Sequence, residues 1–530
     1  MNRLRFVGWA LVSALAMISP VLAGDFSVRL RSRVEIDRGQ KVYTVVEKAE
    51  TWSPRETAVI VCDMWDLHHC LNAVRRGAEL TPRMNKVLAE ARSSGATIIH
   101  APSSCMDAYK DHPARSRILA VSKSKGLPKD IGSWCYKIPS EEQGVYPIDQ
   151  TDGGEDDDPA EHLDWQKQLA AKGRNPKAPW KSQTDALTID PKLDYISDSG
   201  EEIWGLLEAR GIKNVVLMGV HLNMCVLGRP FGLRRMAENG KHVVLMRDMT
   251  DTMYNPERSP KVSHFAGTEL MVEHVEKFVC PTITSDQLLG GVPFRFSTDK
   301  RPVVVFVIAD DEYKTEVTLP VFAARELAQR EYHLEYVFAL ESDKNSLPGL
   351  SMLRDADVAV LSVRRRLPTT EQLAELRRFT AYGRGIVGLR VASHAFAARG
   401  SESTIPKGHD SWTRFDADIL GGNYQGHHKV GPETVVSSAP GAATNPILKG
   451  VDAARIVGHG SLYRVSPLAK TAEPLLLGTI PGEAAEPVAW TNRPEHKGKV
   501  FYTSLGHPAD FAEPEFIKLL INAIAWAARR

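Results

Sequence analysis

Short apolar, β-branched runs alternate along this chain with longer stretches whose apolar positions recur at helical spacing. Residues 57–61 read as a strand, 84–93 as a helix and 96–100 as a second strand. The pattern continues with a helix over 201–210, a strand over 214–219, a helix over 230–239 and a strand over 242–246. Strand, helix and strand joined by short links imply a parallel sheet covered on both faces. Loop-like residues then intervene, including Gly290-Gly291-Val292-Pro293, and the alternation restarts. Strands are expected at 303–308, 358–361, 386–389 and 500–503, with helices at 319–329, 371–382 and 513–528. The expected fold class is α/β, with two doubly wound three-layer domains built on mainly parallel sheets.

A chain of 530 residues exceeds one ordinary core, in keeping with that division. The expected boundaries are a signal peptide at 1–23, an N-terminal extension at 24–54, a first domain at 55–285, a linker at 286–301 and a second domain at 302–530. Arg3 and Arg5 precede an apolar run over 6–22, and Val21-Leu22-Ala23 offers small residues for cleavage before Gly24. The expectation is export to a periplasmic or extracellular space, with an uncleaved anchor as the alternative. No later stretch is long and apolar enough to span a bilayer. A net charge of +1 without a long basic run argues against a nucleic-acid partner.

The cysteines stand at 62, 70, 105, 135, 225 and 280, with no CxxC pair and no obvious disulfide framework. Carboxylates and paired glycines crowd the segment around 149–158, which reads as a solvated acidic loop in preference to a calcium site. Open parallel sheets place ligands beyond the carboxyl ends of their strands. The first strand ends in Cys62-Asp63, and the strand over 214–219 leads through Val220-His221-Leu222-Asn223-Met224 to Cys225. A helix starting near Cys225, and Lys192 upstream, would favour the thiolate, and a carboxylate would carry its proton. Trp65, His68 and His69 follow Asp63 closely enough to line a pocket or simply to pack at the strand–loop junction.

The segment from Val215 to Val226, with Gly219-Val220 and then Cys225, resembles the nucleophile motif of isochorismatase-like hydrolases, which include nicotinamidases. Residues 57–63 resemble the family's first strand, which ends in its catalytic aspartate, and the similarity covers roughly 55–280. The resemblance implies a triad: Cys225 as nucleophile, Asp63 as general base and acid, and Lys192 beside the thiolate. It also implies a cis peptide at Val220–His221, with backbone N–H groups of His221 and Cys225 facing an oxyanion. The family's usual segment after the lysine is replaced here by Tyr195-Ile196-Ser197-Asp198. Asp66-Leu67-His68-His69 comes too early for the nicotinamidase metal motif, so whether a divalent metal binds is left open, and the implied mechanism requires no cofactor.

Residues 302–530 resemble ThuA-like (trehalose-utilisation) domains of the class I glutamine amidotransferase-like fold, through 388–396, 420–427 and 503–511. No cysteine lies beyond 280, which excludes the amidotransferase nucleophile. Ser393 and His394 occupy the comparable turn, and His394, His427, His459 and His507 could gather at the sheet's carboxyl edge to hold a carbohydrate. The leading expectation is an exported cysteine hydrolase of a small amide or related C–N bond, with a carbohydrate-linked accessory domain. Hydrolysis of an enol ether on the same scaffold, or a non-catalytic carbohydrate-binding protein, are the alternatives. Oligomers are common in the family, so a homo-oligomer is among the expected partners.

Overall fold

The structure, a computed structural model, describes residues 24–37, 41–121, 126–328, 331–398, 404–495 and 498–528. The signal-peptide segment 1–23 lies outside the described residues. The first sheet contains β1 (Phe26–Asp37), β2 (Val42–Trp52), β3 (Thr57–Cys62), β4 (Thr97–Ala101), β5 (Tyr195–Ile196), β6 (Asn214–Val220), β7 (His242–Asp251) and β8 (Thr282–Ile283). The second contains β9 (Val303–Ala309), β10 (His333–Phe338), β11 (Val358–Val363), β12 (Gly385–Leu389), β13 (Thr434–Ser438), β14 (Val457–Gly458), β15 (Ala472–Thr479), β16 (Glu486–Asn492) and β17 (Val500–Thr503). The helices of the first part are α1 (Leu71–Ser93), α2 (Pro113–Leu119), α3 (Pro159–Ala171), α4 (Gly200–Ala209), α5 (Leu233–Glu238), α6 (His264–Phe278) and α7 (Asp286–Leu289). Those of the second are α8 (Thr315–Phe322), α9 (Thr370–Ala381) and α10 (Pro514–Ala528).

The first sheet runs β2-β1-β8-β7-β6-β3-β4-β5, parallel from β8 to β5. Its central strands are buried on both faces, and their side chains alternate between two cores. Ala58, Ile60, Val215 and Leu217 pack with Ile203 and Leu207 of α4 and with Met271 and Val275 of α6. Val59, Val61, Val216 and Met218 pack on the other side with Leu80, Met84 and Leu88 of α1. The second sheet runs β10-β9-β11-β12-β17-β16-β15-β13-β14. It is parallel from β10 to β17 and antiparallel beyond, so the parallel core expected from the sequence carries an antiparallel wing.

Three expectations shift. Helix α1 begins at Leu71, well before residue 84, and runs through Pro82. A proline removes one backbone bond, which made the pattern read as a break. Within 24–54, β1 and β2 form a two-stranded antiparallel ribbon joined to the first sheet through β1 and β8. Its alternating Phe26, Val28 and Leu30 are buried. The helix read at 319–329 begins at Thr315 and passes into a wider turn at Ala323–Leu327.

The ribbon also reaches the second sheet. Thr44 Oγ1 donates to the Phe338 carbonyl at 3.2 Å, and Val45 packs in the core of β9 and β10. Between the sheets Arg33 pairs with Glu276 at 3.0 Å and Glu335 at 2.6 Å, all with side chains no more than 6% exposed. Glu335→Gln removes one of the two carboxylates on buried Arg33 and leaves Glu276 beside it. It is expected to lower stability to guanidinium by about 1–3 kcal/mol, and an unchanged stability contradicts this account of the junction.

Candidate active site

In the first sheet β3 has β4 on one side and β6 on the other, both parallel to it. Such a reversal of strand order opens a crevice at the carboxyl ends. Asp63 follows β3 with φ of 46°, and the chain after β6 turns back towards it. Gly219 makes that approach possible. Its φ is 115°, and a Cβ there would stand 2.0 Å from the Cys62 carbonyl oxygen, so only glycine fits. Thr250 Oγ1 donates to the Gly219 carbonyl at 2.7 Å and fixes the bend. The Val220–His221 peptide that follows is cis. A single wide turn, Leu222–Val226, then carries Cys225.

Cys225 is 8% exposed, and the charges of the Asp63 carboxylate and the Arg229 guanidinium both act on its thiol. The other contacts of Asp63 are fixed. Ser103 N donates to Oδ1 at 2.7 Å, and Arg229 Nε donates to Oδ2 at 3.1 Å. Arg229 sits one turn after the cysteine, its N–H bonded to the Cys225 carbonyl, and its guanidinium lies over the Trp134 ring. Burial pushes the Asp63 carboxyl up, and the positive Arg229 offsets only part of that. Burial, then the charge of Asp63, push the Cys225 thiol well up. The resting pair is thus a neutral thiol beside a basic carboxylate. This differs from the expected helix-stabilised thiolate, because the turn is short and burial with the charge of Asp63 outweighs the opposing charge of Arg229.

Lys192 is not part of this group. It is exposed on the loop before β5, where Asp190 Oδ1 accepts the Lys192 and Leu193 N–H groups. Asp194, two residues on, is the buried member of that loop, paired with Arg92 at 2.7 Å and His100 at 3.1 Å. Anchoring Asp194 inward turns Lys192 outward, and Arg229 is the cation at Asp63. Sequence spacing held a signal for Arg229, since Cys225-x-x-x-Arg229 places both on successive turns.

A small cavity of about 80 Å³ is lined by Asp63, Trp65, His68, Thr184, Val220 and His221, while Cys225 itself does not line it. Trp65 stacks on Trp180 with centroids 4.3 Å apart, and His68 meets His221 at 4.9 Å. Trp180, which the sequence pattern left in a polar insertion, therefore backs the Trp65 wall of this pocket without lining it. Burial brings His221 down to about 4 and holds His68 well below its ordinary value, so both rings are neutral at pH 7.

The acidic segment is engaged, not solvated. Asp157 accepts the N–H groups of Leu71 and Asn72 at 2.7 Å each, supporting the start of α1. Asp156 bonds to Arg76 and His264, and Asp251 bonds to the same two residues. Among the described residues, side chains at metal-ligand spacing are Cys70, Asp156 and Asp157, and Glu155, Asp157 and His162. Asp156 and Asp157 are already committed to these internal partners. All six cysteines are free and buried.

At the carboxyl edge of the second sheet, His394, His427, His459 and His507 line one cleft, with Arg364, Arg365 and Arg390. The sharp turn after β12 is made by Arg390, whose φ is 39°, and not by Ser393. Ser393 lies three residues later, 6% exposed, bonded to the Arg390 carbonyl at 3.3 Å and to His394 Nδ1 at 3.1 Å. It does not line the cleft, whereas His394 does.

Comparisons with known proteins follow the same division. Residues 303–527 match the model of the ThuA family, described as trehalose utilisation, so the C-terminal part carries a ThuA domain. Among solved structures the chain is similar to a thua-like protein from Bacteroides uniformis ATCC 8492, with 17% identity and a TM-score of 0.34, covering 45% of this chain and 95% of that one. It is similar to a cysteine hydrolase from Pseudomonas syringae pv. phaseolicola 1448A, at 16% identity and TM-score 0.27, covering 45% and 93%. An isochorismatase family protein from Burkholderia thailandensis is similar at 17% identity and TM-score 0.24, covering 44% and 93%. No curated protein matches the chain.

His264 carries the pH dependence of this region. Burial alone would lower it, but Asp251 and Asp156 raise it from 6.5 to about 9. A group raised on folding stabilises fully below its unfolded pKa and loses that contribution as pH rises through the folded one. The shift corresponds to about 3 kcal/mol, present below pH 6.5 and lost on passing pH 9. Unfolding at pH 6.5 and 9.5 is expected to show this loss in the parent and much less of it in His264→Gln. Equal losses contradict the assignment.

Proposed function

We propose that the first domain is a cysteine hydrolase of small amides or related C–N compounds, acting through a covalent intermediate on Cys225. The observation that carries this reading is the buried Cys225 thiol under the field of the buried Asp63 carboxylate, at the crevice between two parallel strands. A buried, base-paired thiol is the arrangement that nucleophilic catalysis needs when the thiol is not already ionised.

In this mechanism Asp63 takes the thiol proton as Sγ bonds to the carbonyl carbon. The oxyanion that forms is held by the backbone N–H groups of His221 and Cys225. As the C–N bond breaks, Asp63 returns its proton to the leaving amine, and a thioester remains. Water then attacks the thioester with Asp63 again as base, releasing the acid and restoring the thiol. Arg229 is a positioning residue that keeps Asp63 ionised and oriented. The small cavity reached by Asp63, Trp65 and His221 adjoins the pair through Asp63 and supports a small substrate. The ThuA domain is read as an accessory unit that binds carbohydrate. The pattern at 1–23 supports export, for which a secreted chain beginning at Gly24 is the mass-spectrometric readout.

The test measures ammonia release from a panel of small amides including nicotinamide, with isochorismate assayed separately. The parent is expected to turn over at least one amide, with kcat/KM about a thousandfold lower or worse in Cys225→Ala and Asp63→Asn. Turnover that survives Cys225→Ala removes the covalent mechanism, and turnover of isochorismate alone replaces the amidase reading with enol-ether hydrolysis.

A further inference from the structure

In the second domain the ends of β9, β11, β12 and β17 frame a cavity of about 400 Å³, within the range of small-molecule sites. Its most unusual member is Arg390. The side chain is 3% exposed, yet among the described residues no carboxylate forms an ion pair with it. The other deeply buried arginines among the described residues are neutralised: Arg33 by Glu276 and Glu335, Arg76 by Asp156 and Asp251, Arg234 by Glu141, Arg301 by Glu269 and Asp299.

Arg390 is held by neutral groups instead. Nη1 donates to the Ser504 carbonyl at 2.6 Å, and Nη2 to the Ser461 carbonyl at 3.2 Å and its Oγ at 3.3 Å. The guanidinium sits between the rings of Tyr313, at 4.4 Å, and Tyr463, at 4.6 Å. Its Nε is buried without a partner. Space is reserved for it, since a Cβ at Gly460 would stand 2.5 Å from its Cζ. A cation so buried without a counter-charge is costly unless an anion completes the site. Arg364 and Arg365 add positive charge at the rim, against Glu312, which Arg364 engages.

The remaining lining suits a polyhydroxylated body. Tyr424 stacks on His394 at 4.5 Å and leans on Tyr463 at 4.8 Å, giving apolar ring faces for the C–H face of a sugar. His427, His459, His507 and Ser461 supply side chains that both donate and accept hydrogen bonds. We infer that this cleft binds a small polyhydroxylated anion, a sugar carboxylate or sugar phosphate, with Arg390 as the charge that anchors it. The inference deepens the carbohydrate-binding reading of the ThuA domain and is independent of Cys225 chemistry.

The experiment is calorimetric titration of the mature full-length chain with gluconate, glucose 6-phosphate, sorbitol and inorganic phosphate at low salt. Gluconate or glucose 6-phosphate is expected to bind at least about tenfold tighter than sorbitol and than inorganic phosphate, the loss of one charged hydrogen bond being worth that much. Whichever of the two binds identifies the anion as carboxylate or phosphate. Sorbitol binding as tightly as both anions overturns the role of Arg390 while leaving the carbohydrate reading intact. Inorganic phosphate binding as tightly as glucose 6-phosphate, with no gluconate or sorbitol binding, overturns the polyol part. Binding of none of the four overturns both. Arg390→Gln is expected to erase the preference for the anion. If that chain does not fold, Tyr424→Ala at the half-exposed rim is expected to weaken the preferred anion at least about fivefold with its melting temperature unchanged. An unweakened Tyr424→Ala complex places the ligand elsewhere and overturns the inference.

Discussion

The contact of Gly219 with the Cys62 carbonyl is the constraint on which the first domain's chemistry rests. Two parallel strands normally keep their side chains apart, but here the end of β6 leans on the end of β3 with no room for a Cβ. That approach lets the chain from His221 to Cys225 turn across the crevice and meet Asp63. Thr250 on β7 and Ser103 after β4 hold the two sides, so both neighbours of the central strand pair contribute. The geometry belongs to the backbone first, and the reacting side chains are placed by it.

Electrostatics then decides how the pair works. A buried thiol beside a buried carboxylate cannot ionise cheaply, and both groups are pushed up. Arg229 counters this for Asp63 only in part. In the proposed reaction the thiol is therefore activated by proton transfer as bond formation proceeds, and not by standing ionisation. Close by, Arg76, Asp156, Asp251 and His264 form a closed ionic set, which ties the acidic segment to α1 and β7. His68 and His221 stay neutral beside it. The second sheet offers its ligand edge in the same topological place but with the opposite solution. The strained turn after β12 bears Arg390 in a polar cleft, where the first site has a thiol and a carboxylate.

Much of this was legible along the chain. The alternation of strand and helix located the parallel strands because residues buried on both faces leave continuous apolar runs. Asp63 was readable because it directly follows such a run, and Cys225 because it closes the Gly219-Val220 motif a few residues beyond one. Other features were hidden by long-range partners. Lys192 carried the expected spacing, yet the anchoring of Asp194 to Arg92 and His100 turned it outward. Asp156 and Asp157 looked solvated because nothing local shows that Arg76, His264 and the first turn of α1 meet them. Trp180 lay in a polar stretch whose return to Trp65 is set by the fold alone. Arg229 and the period-two pattern of Phe26, Val28 and Leu30 were visible in principle and were outweighed by stronger nearby signals.

The most direct test of the account is to quench the parent protein during reaction with an activated acyl donor such as p-nitrophenyl acetate and map the adduct by peptide mass spectrometry. The account predicts an acyl group on Cys225 that forms in the parent and fails to accumulate in Asp63→Asn. An adduct confined to another cysteine, or one that forms on Cys225 equally fast without the Asp63 carboxylate, contradicts it.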